Sequence, residues 1–285
     1  MNLQREGSFY GWYFKCQSDM GTMAVIPAVH GTGRGRTCSL QIITKEEAWT
    51  VTFPAKAYQR KGMRIAIGKN HFGDRGIRLS VRIPGLNAVG KLNFGPLTPL
   101  KYHIMGPFLL VPFLECCHSV WSMKHTVWGS VRINGKLYTF RGGEGYWEGD
   151  GGRSFPKEYL WTQCSFPEGA LMLSVADIPL AGFHFQGVIG VVLWRGREYR
   201  LATYLGARVV RRQNGLIKVV QGDMELEAEL LERIGKPLKA PVSGDMNRII
   251  HESVACMTRY RFRKGKQIDL YVQTDKASFE YEYPD

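Results

Sequence analysis

The stretch EGYWEGDGGRSFPKEYLWTQC, from Glu144 to Cys164, sets two carboxylates among bulky apolar residues. Glu148 and Asp150 are two apart, so on an extended segment both side chains face one side. A carboxyl buried among aromatics, or placed beside a second carboxylate, keeps its proton to higher pH and becomes a general acid. The bland alternative is a solvated loop, since three glycines adjoin the pair. Aromatic faces can steady a cation made by such an acid, by about 0.5–2 kcal/mol each. Trp12, Tyr13, Trp147, Tyr159 and Trp161 are the candidates, and Gln163 shares a strand face with Tyr159 and Trp161. Aromatics of this kind equally suit a barrel core. His118 and His125 flank SVWSMK, and either imidazole could act as a general base. Their spacing reads as two turns along one helix face. A hydrogen-bonded structural role is the alternative for each.

The elements that must carry these residues are mostly strands. Short β-branched or aromatic runs recur along the chain, among them Trp12–Cys16, Thr37–Ile43, Ile77–Ile83, Val127–Ile133, Tyr159–Cys164, Leu171–Ala176, Gly187–Leu193 and Ile268–Thr274. Gly, Pro, Asn or Asp separates them. Asn134-Gly135 and Asn214-Gly215 supply the positive φ angles of two-residue hairpin turns, and Lys264-Gly265-Lys266 is a third turn. Helix is expected only at His118–Lys124 and Met246–Ser253, and no repeat has a clear period. So many strands exceed one sandwich, whereas closing them into barrels removes the exposed edges. The expected fold is all-β: two antiparallel β-barrels with few short helices, residues 1–145 forming the first and 146–285 the second. Barrels of this size can enclose one apolar ligand.

Of 285 residues 44% are hydrophobic, enough for packed cores. The net charge is 38 − 25 = +13, but the basic residues are spread out and no nucleic-acid motif accompanies them. A solvated basic face or peripheral contact with an anionic membrane fits better than nucleic acid. The six cysteines form no C-x-x-C pair, and Glu115-Cys116-Cys117-His118 lacks zinc-ligand spacing. Free thiols and no metal are expected. The first residues carry no signal-peptide pattern, and the apolar run at Ile104–Leu114 is short and broken by prolines, so a cytoplasmic protein is expected. G-x-S-x-G and P-loop motifs are absent, and GTGRGR at Gly31–Arg36 has no following helix to make it a dinucleotide site.

Several segments, in order along the chain, resemble the tocopherol cyclase family. GWYFK (Gly11–Lys15) is similar to its N-terminal signature. YWEGDGGRSFPKEYLWTQCSF (Tyr146–Phe166) resembles its long central motif, and LKAPVSGDMNRIIHES (Leu238–Ser253) the segment before its last strands. MGPF (Met105–Phe108) and PFLECCHSVWSMKH (Pro112–His125) look like the bacterial branch. Gly149 and Gly151 stand where the family motif has Lys and Trp, Ser165 where it has Asn, and Tyr10 where an acid is usual. The resemblance implies two lipocalin-like barrels, related to those of carotenoid hydratases. It also implies closure of a prenylated quinol to a chromanol, an isomerisation that needs no cofactor. That chemistry requires an acid to protonate an alkene, a stabilised tertiary cation, and a phenol oxygen held beside it. Glu148 and Asp150 would supply the acid, His118 or His125 the base, and Tyr146 with the aromatics above the substrate pocket. Two other functions fit the same barrels: a non-catalytic binder of a lipid or other hydrophobe, which Gly149 and Gly151 favour, and a hydratase that captures the cation with water.

Overall fold

The computed structural model describes residues 8–32, 35–111, 114–180, 183–232 and 235–284. The N-terminal residues, 33–34 of GTGRGR and 112–113 opening the PFLECCH run lie outside them. The described chain is built almost wholly from antiparallel strands. The first eleven are β1 (Phe9–Ser18), β2 (Gly21–Thr32), β3 (Gly35–Thr44), β4 (Ala48–Pro54), β5 (Tyr58–Arg60), β6 (Arg64–Ile67), β7 (Asn70–Gly73), β8 (Gly76–Ile83), β9 (Leu86–Phe94), β10 (Cys116–Ile133) and β11 (Lys136–Gly152). They form one sheet in the order β4-β3-β2-β1-β11-β10-β9-β8-β7-β6-β5. The others are β12 (Tyr159–Phe166), β13 (Gly169–Leu180), β14 (Phe183–Trp194), β15 (Arg197–Ala202), β16 (Arg208–Gln213), β17 (Leu216–Gln221), β18 (Met224–Leu230), β19 (Lys236–Val242), β20 (Asp245–Lys264) and β21 (Ile268–Tyr281). Their order is β15-β14-β13-β12-β21-β20-β18-β17-β16, with β19 pairing β20 off this path.

The two ladders share a plan that the sequence does not advertise as a repeat. The edge strands of the first, β4 and β5, are chain neighbours joined by the 3-10 turn Ala55–Ala57. Those of the second, β15 and β16, are joined by the 3-10 turn Thr203–Leu205. A sheet whose edges are consecutive in the chain must curl back on itself, which leaves no long free edge. The result is the two lipocalin-like β-barrels expected from the sequence.

The hairpin turns fall where Asn-Gly placed them. Asn134 (φ 45°) and Gly135 (φ 89°) join β10 to β11, and Asn214 (φ 49°) and Gly215 (φ 83°) join β16 to β17. Gly265 (φ 51°) turns β20 into β21. Both expected helices are corrected: His118–Lys124 lies in β10 and Met246–Ser253 in β20. Among the described residues the helical pieces are 3-10 turns.

The chain divides into two compact units that interleave in sequence. One comprises Met1–Pro99, His118–Ser154 and Leu238–Ile249; the other comprises Leu100–Cys117, Phe155–Pro237 and Ile250–Asp285. The boundary expected at 145/146 falls inside β11. In the first unit Tyr10, Trp12, Phe14 and Cys16 of β1 and Trp147 of β11 point into one apolar core with Leu40, Ile42 and Val127. In the second, Leu160 and Cys164 of β12 join Leu173, Val192, Tyr260 and Phe279.

Candidate functional site

Register fixes which side chains meet. In the β1–β11 pair, Trp12 lies opposite Gly149 and Phe14 opposite Trp147, and these face the core. The alternate positions face the other way: Tyr13 opposite Glu148, and Lys15 opposite Tyr146. Glu148 and Asp150 share that outer face, as two residues apart on a strand must. The face is nonetheless water-poor, since Tyr13, Lys15, Tyr146 and Glu148 are all buried.

His118 of β10 completes the group. Its Nδ1 lies 2.9 Å from Asp150 Oδ1 and its Nε2 3.0 Å from Glu148 Oε2. The first contact is a hydrogen bond; the second lies off the N–H axis and acts as an ion pair. The Tyr146 hydroxyl donates a short hydrogen bond to the same Glu148 oxygen. One imidazole thus sits between two carboxylates, with a phenol on the more buried of them.

The electrostatics follow. Burial alone pushes the His118 pKa down, but Glu148 and Asp150 outweigh it and hold it well above the ordinary histidine value. The scale supports this: at an effective dielectric near 20, one opposite charge at about 4 Å contributes roughly 4 kcal/mol. Burial raises the Glu148 pKa, His118 opposes that shift, and Asp150 adds to it. Glu148 and His118 lie 3.0 Å apart, so the proton affinity of each depends on the charge of the other. Burial and the neighbouring Glu148 push the Tyr146 phenol well above its usual range, so it stays a neutral donor.

His118, Glu148 and Asp150 also form a group whose ligand atoms lie within 4.8 Å of one another, near enough to hold a metal ion. A metal would need a free ring-nitrogen lone pair. Both nitrogens already face carboxylate oxygens, which is how an imidazolium is held.

Several expected residues go elsewhere. His125 does not share a face with His118. It points into the first unit's core, its ring 4.4 Å from that of Phe94, with Nδ1 bonded to Ser122 Oγ at 2.9 Å. Burial lowers its pKa to about 4. Gly145 makes room for it: a Cβ there would sit 2.2 Å from His125 Nε2. Trp12 and Trp147 are wholly buried core residues, 5.1 Å apart edge to face. Tyr159, Trp161 and Gln163 belong to the second unit. There Tyr159 donates to Glu280, Trp161 is the register partner of Glu280, and Gln163 bonds Ser165. Glu280, whose register partner is the equally buried Glu252, was not singled out in the sequence. Neither was Lys15, whose signal was a lysine at an alternate position of the apolar run GWYFK.

Gly149 is a fitted position. A Cβ there would lie 2.5 Å from the Gly11 carbonyl oxygen, 2.7 Å from Trp12 Cδ1 and 2.8 Å from Trp121 Cζ3. Trp12, Trp121 and Trp147 fill the space that a larger residue on β11 would need.

No family model matches the sequence, and no curated protein matches it. Solved structures do match in fold. CghA with Sch210972 superposes with a TM-score of 0.61 at 8% identity, covering 96% of this chain and 88% of that one. CghA alone gives 0.61 at 8%, covering 98% and 89%. Kievitone hydratase from Nectria haematococca gives 0.54 at 9%, covering 97% and 89%. The chain therefore has the double-barrel fold that these proteins share. Among the described residues, no helix is long and apolar enough to cross a membrane.

Proposed function

We propose that this protein promotes acid-catalysed ring closure of a prenylated quinol or a similar isoprenoid, in the manner of the tocopherol cyclases its central motif resembles. The observation that carries the reading is the His118 imidazole held between Glu148 and Asp150 at 3.0 and 2.9 Å. Glu148 gives its proton to the less substituted carbon of the alkene. His118, kept charged by Asp150, balances the carboxylate left behind. Tyr13 and Tyr146, on the same face, offer ring surfaces to the tertiary cation. The phenol oxygen closes on the cation, and its proton returns to Glu148. Substrate and product are isomers, so protons and electrons balance without a co-reactant. Holding the two reacting ends together contributes further, up to about 7–11 kcal/mol in the best cases.

Hydration is the second reading. The Asp150 side chain is 22% exposed, so water can reach the site's edge, and one of the structures sharing this fold is named a hydratase. Mass spectrometry of the protein incubated with a panel of prenylated quinols separates the readings. A product of unchanged mass, absent with Glu148→Gln, supports cyclisation. A product one water heavier moves the assignment to hydration. Quinols bound but unaltered leave a binder.

A further inference from the structure

The second unit carries a feature that the chemistry above does not use. The segment from Lys101 to Val111 is held by one buried cation. Arg200 of β15 donates to the carbonyls of Tyr102 (2.9 Å), His103 (3.1 Å) and Ile104 (3.4 Å). Its guanidinium lies 3.6 Å over the Tyr102 ring and pairs with Glu198 at 2.8 Å. Glu198 in turn accepts the Lys101 backbone N–H at 2.9 Å. Ile104 and Met105 are buried as an anchor. Gly106 (φ 49°) then packs on Tyr204, where a Cβ would come within 2.6 Å of the ring, and Phe108 meets Tyr204 edge to face at 5.4 Å.

What this clamp presents is apolar. The 3-10 turn Gly106–Leu110 leaves Leu109 49% and Leu110 86% exposed, and the adjoining turn Thr203–Leu205 leaves Leu205 46% exposed. A single exposed leucine needs no explanation, but three on two turns packed together form a patch. The polar network beneath fixes the patch in place, so little ordering is needed when it binds. Exposed Lys101 and Arg208 flank it in the chain, and the protein as a whole carries +13. Exposed leucines with basic residues beside them in the chain match the headgroup layer of an anionic bilayer, where leucines enter the acyl boundary and cations meet lipid phosphates and carboxylates. It is small for a stable protein partner, which needs about 800 Å² on each side.

We infer that Leu109, Leu110 and Leu205, with Lys101 and Arg208, form a docking site for an anionic membrane surface. The inference does not rest on the chemistry assigned to Glu148, because docking needs no substrate. The test is co-sedimentation of the protein with phosphatidylcholine vesicles containing 30% phosphatidylserine and with phosphatidylcholine alone. Binding is expected to the anionic vesicles and to weaken at 0.5 M salt. Leu109→Ser with Leu110→Ser should weaken it about tenfold or more, since each leucine loses most of its transfer gain. Lys101→Glu with Arg208→Glu should weaken it and flatten the salt dependence. Both changes lie at exposed positions, and unchanged circular dichroism melts will show that the fold is intact. Wild-type protein left in the supernatant with both vesicles, or leucine variants that sediment like wild type, would overturn the inference. So would light scattering that finds a dimer which the leucine variants dissolve, since a second copy would then be the occupant.

Discussion

Two histidines on one strand have opposite fates. His118 and His125 are both buried in β10, and burial pushes both pKa values down. His125 meets a serine hydroxyl and the Phe94 ring, and burial takes it to about 4. His118 has two carboxylates within 3.0 Å and rises well above the ordinary value. Burial therefore does not decide the charge of a histidine; the groups that share its burial do. The same strand keeps a neutral imidazole on its core face and a protonated one on its other face.

The strongest way to break this contrast is at Glu148. Glu148→Gln keeps shape and removes the acid, and turnover is expected to fall about 10²- to 10⁴-fold. Steady-state kinetics with whichever quinol turns over will measure it, and an unaffected rate would remove Glu148 from the chemistry. Next is the stability assigned to His125. Its folded pKa lies below the unfolded value of about 6.5, so its contribution is complete above pH 6.5 and is lost as pH falls towards 4. That loss is about 3 kcal/mol, and His125→Gln should abolish this part of the acid dependence in urea melts run across that range. Gly149→Ala tests the packing between the two faces. Its new Cβ must displace the Gly11 backbone or the rings of Trp12 and Trp121, at a cost of about 1–3 kcal/mol in thermal unfolding. The smallest expected effect is that of a chelator. With both His118 nitrogens facing carboxylates, turnover should survive it; loss that added metal restores would assign the trio to a metal instead.

Much of the fold was legible in the residues. The Asn-Gly turns, the alternation in β-branched runs and the motif around Tyr146–Cys164 each named their local structure. What failed did so for physical reasons. SVWSMKH was read at helical period, yet Trp121, His125 and Val127 are the inward positions of a strand. With a period of two, His118 and His125 part company. The two expected catalytic carboxylates came together because Glu148 and Asp150 are close in sequence and share a face. Lys15 and Glu280 were missed because their importance lies in which strand pairs with which. Gly149 looked like a lost motif residue, while its reason is the bulk of Trp12 and Trp121, more than 100 and about 30 residues away in the chain. That β4 and β5, and β15 and β16, close their ladders in the same way is a property of topology that no residue spacing displayed.

The measurement that bears most directly on the account is an NMR titration of the imidazole signals, assigned with His118→Gln and His125→Gln. His118 is expected to remain an imidazolium through neutral pH and to lose its proton only well above 6.5. His125 should stay neutral until the pH approaches about 4. If His118 is instead neutral at pH 7, the carboxylates do not hold it charged, and no cation balances the carboxylate that Glu148 leaves on giving up its proton.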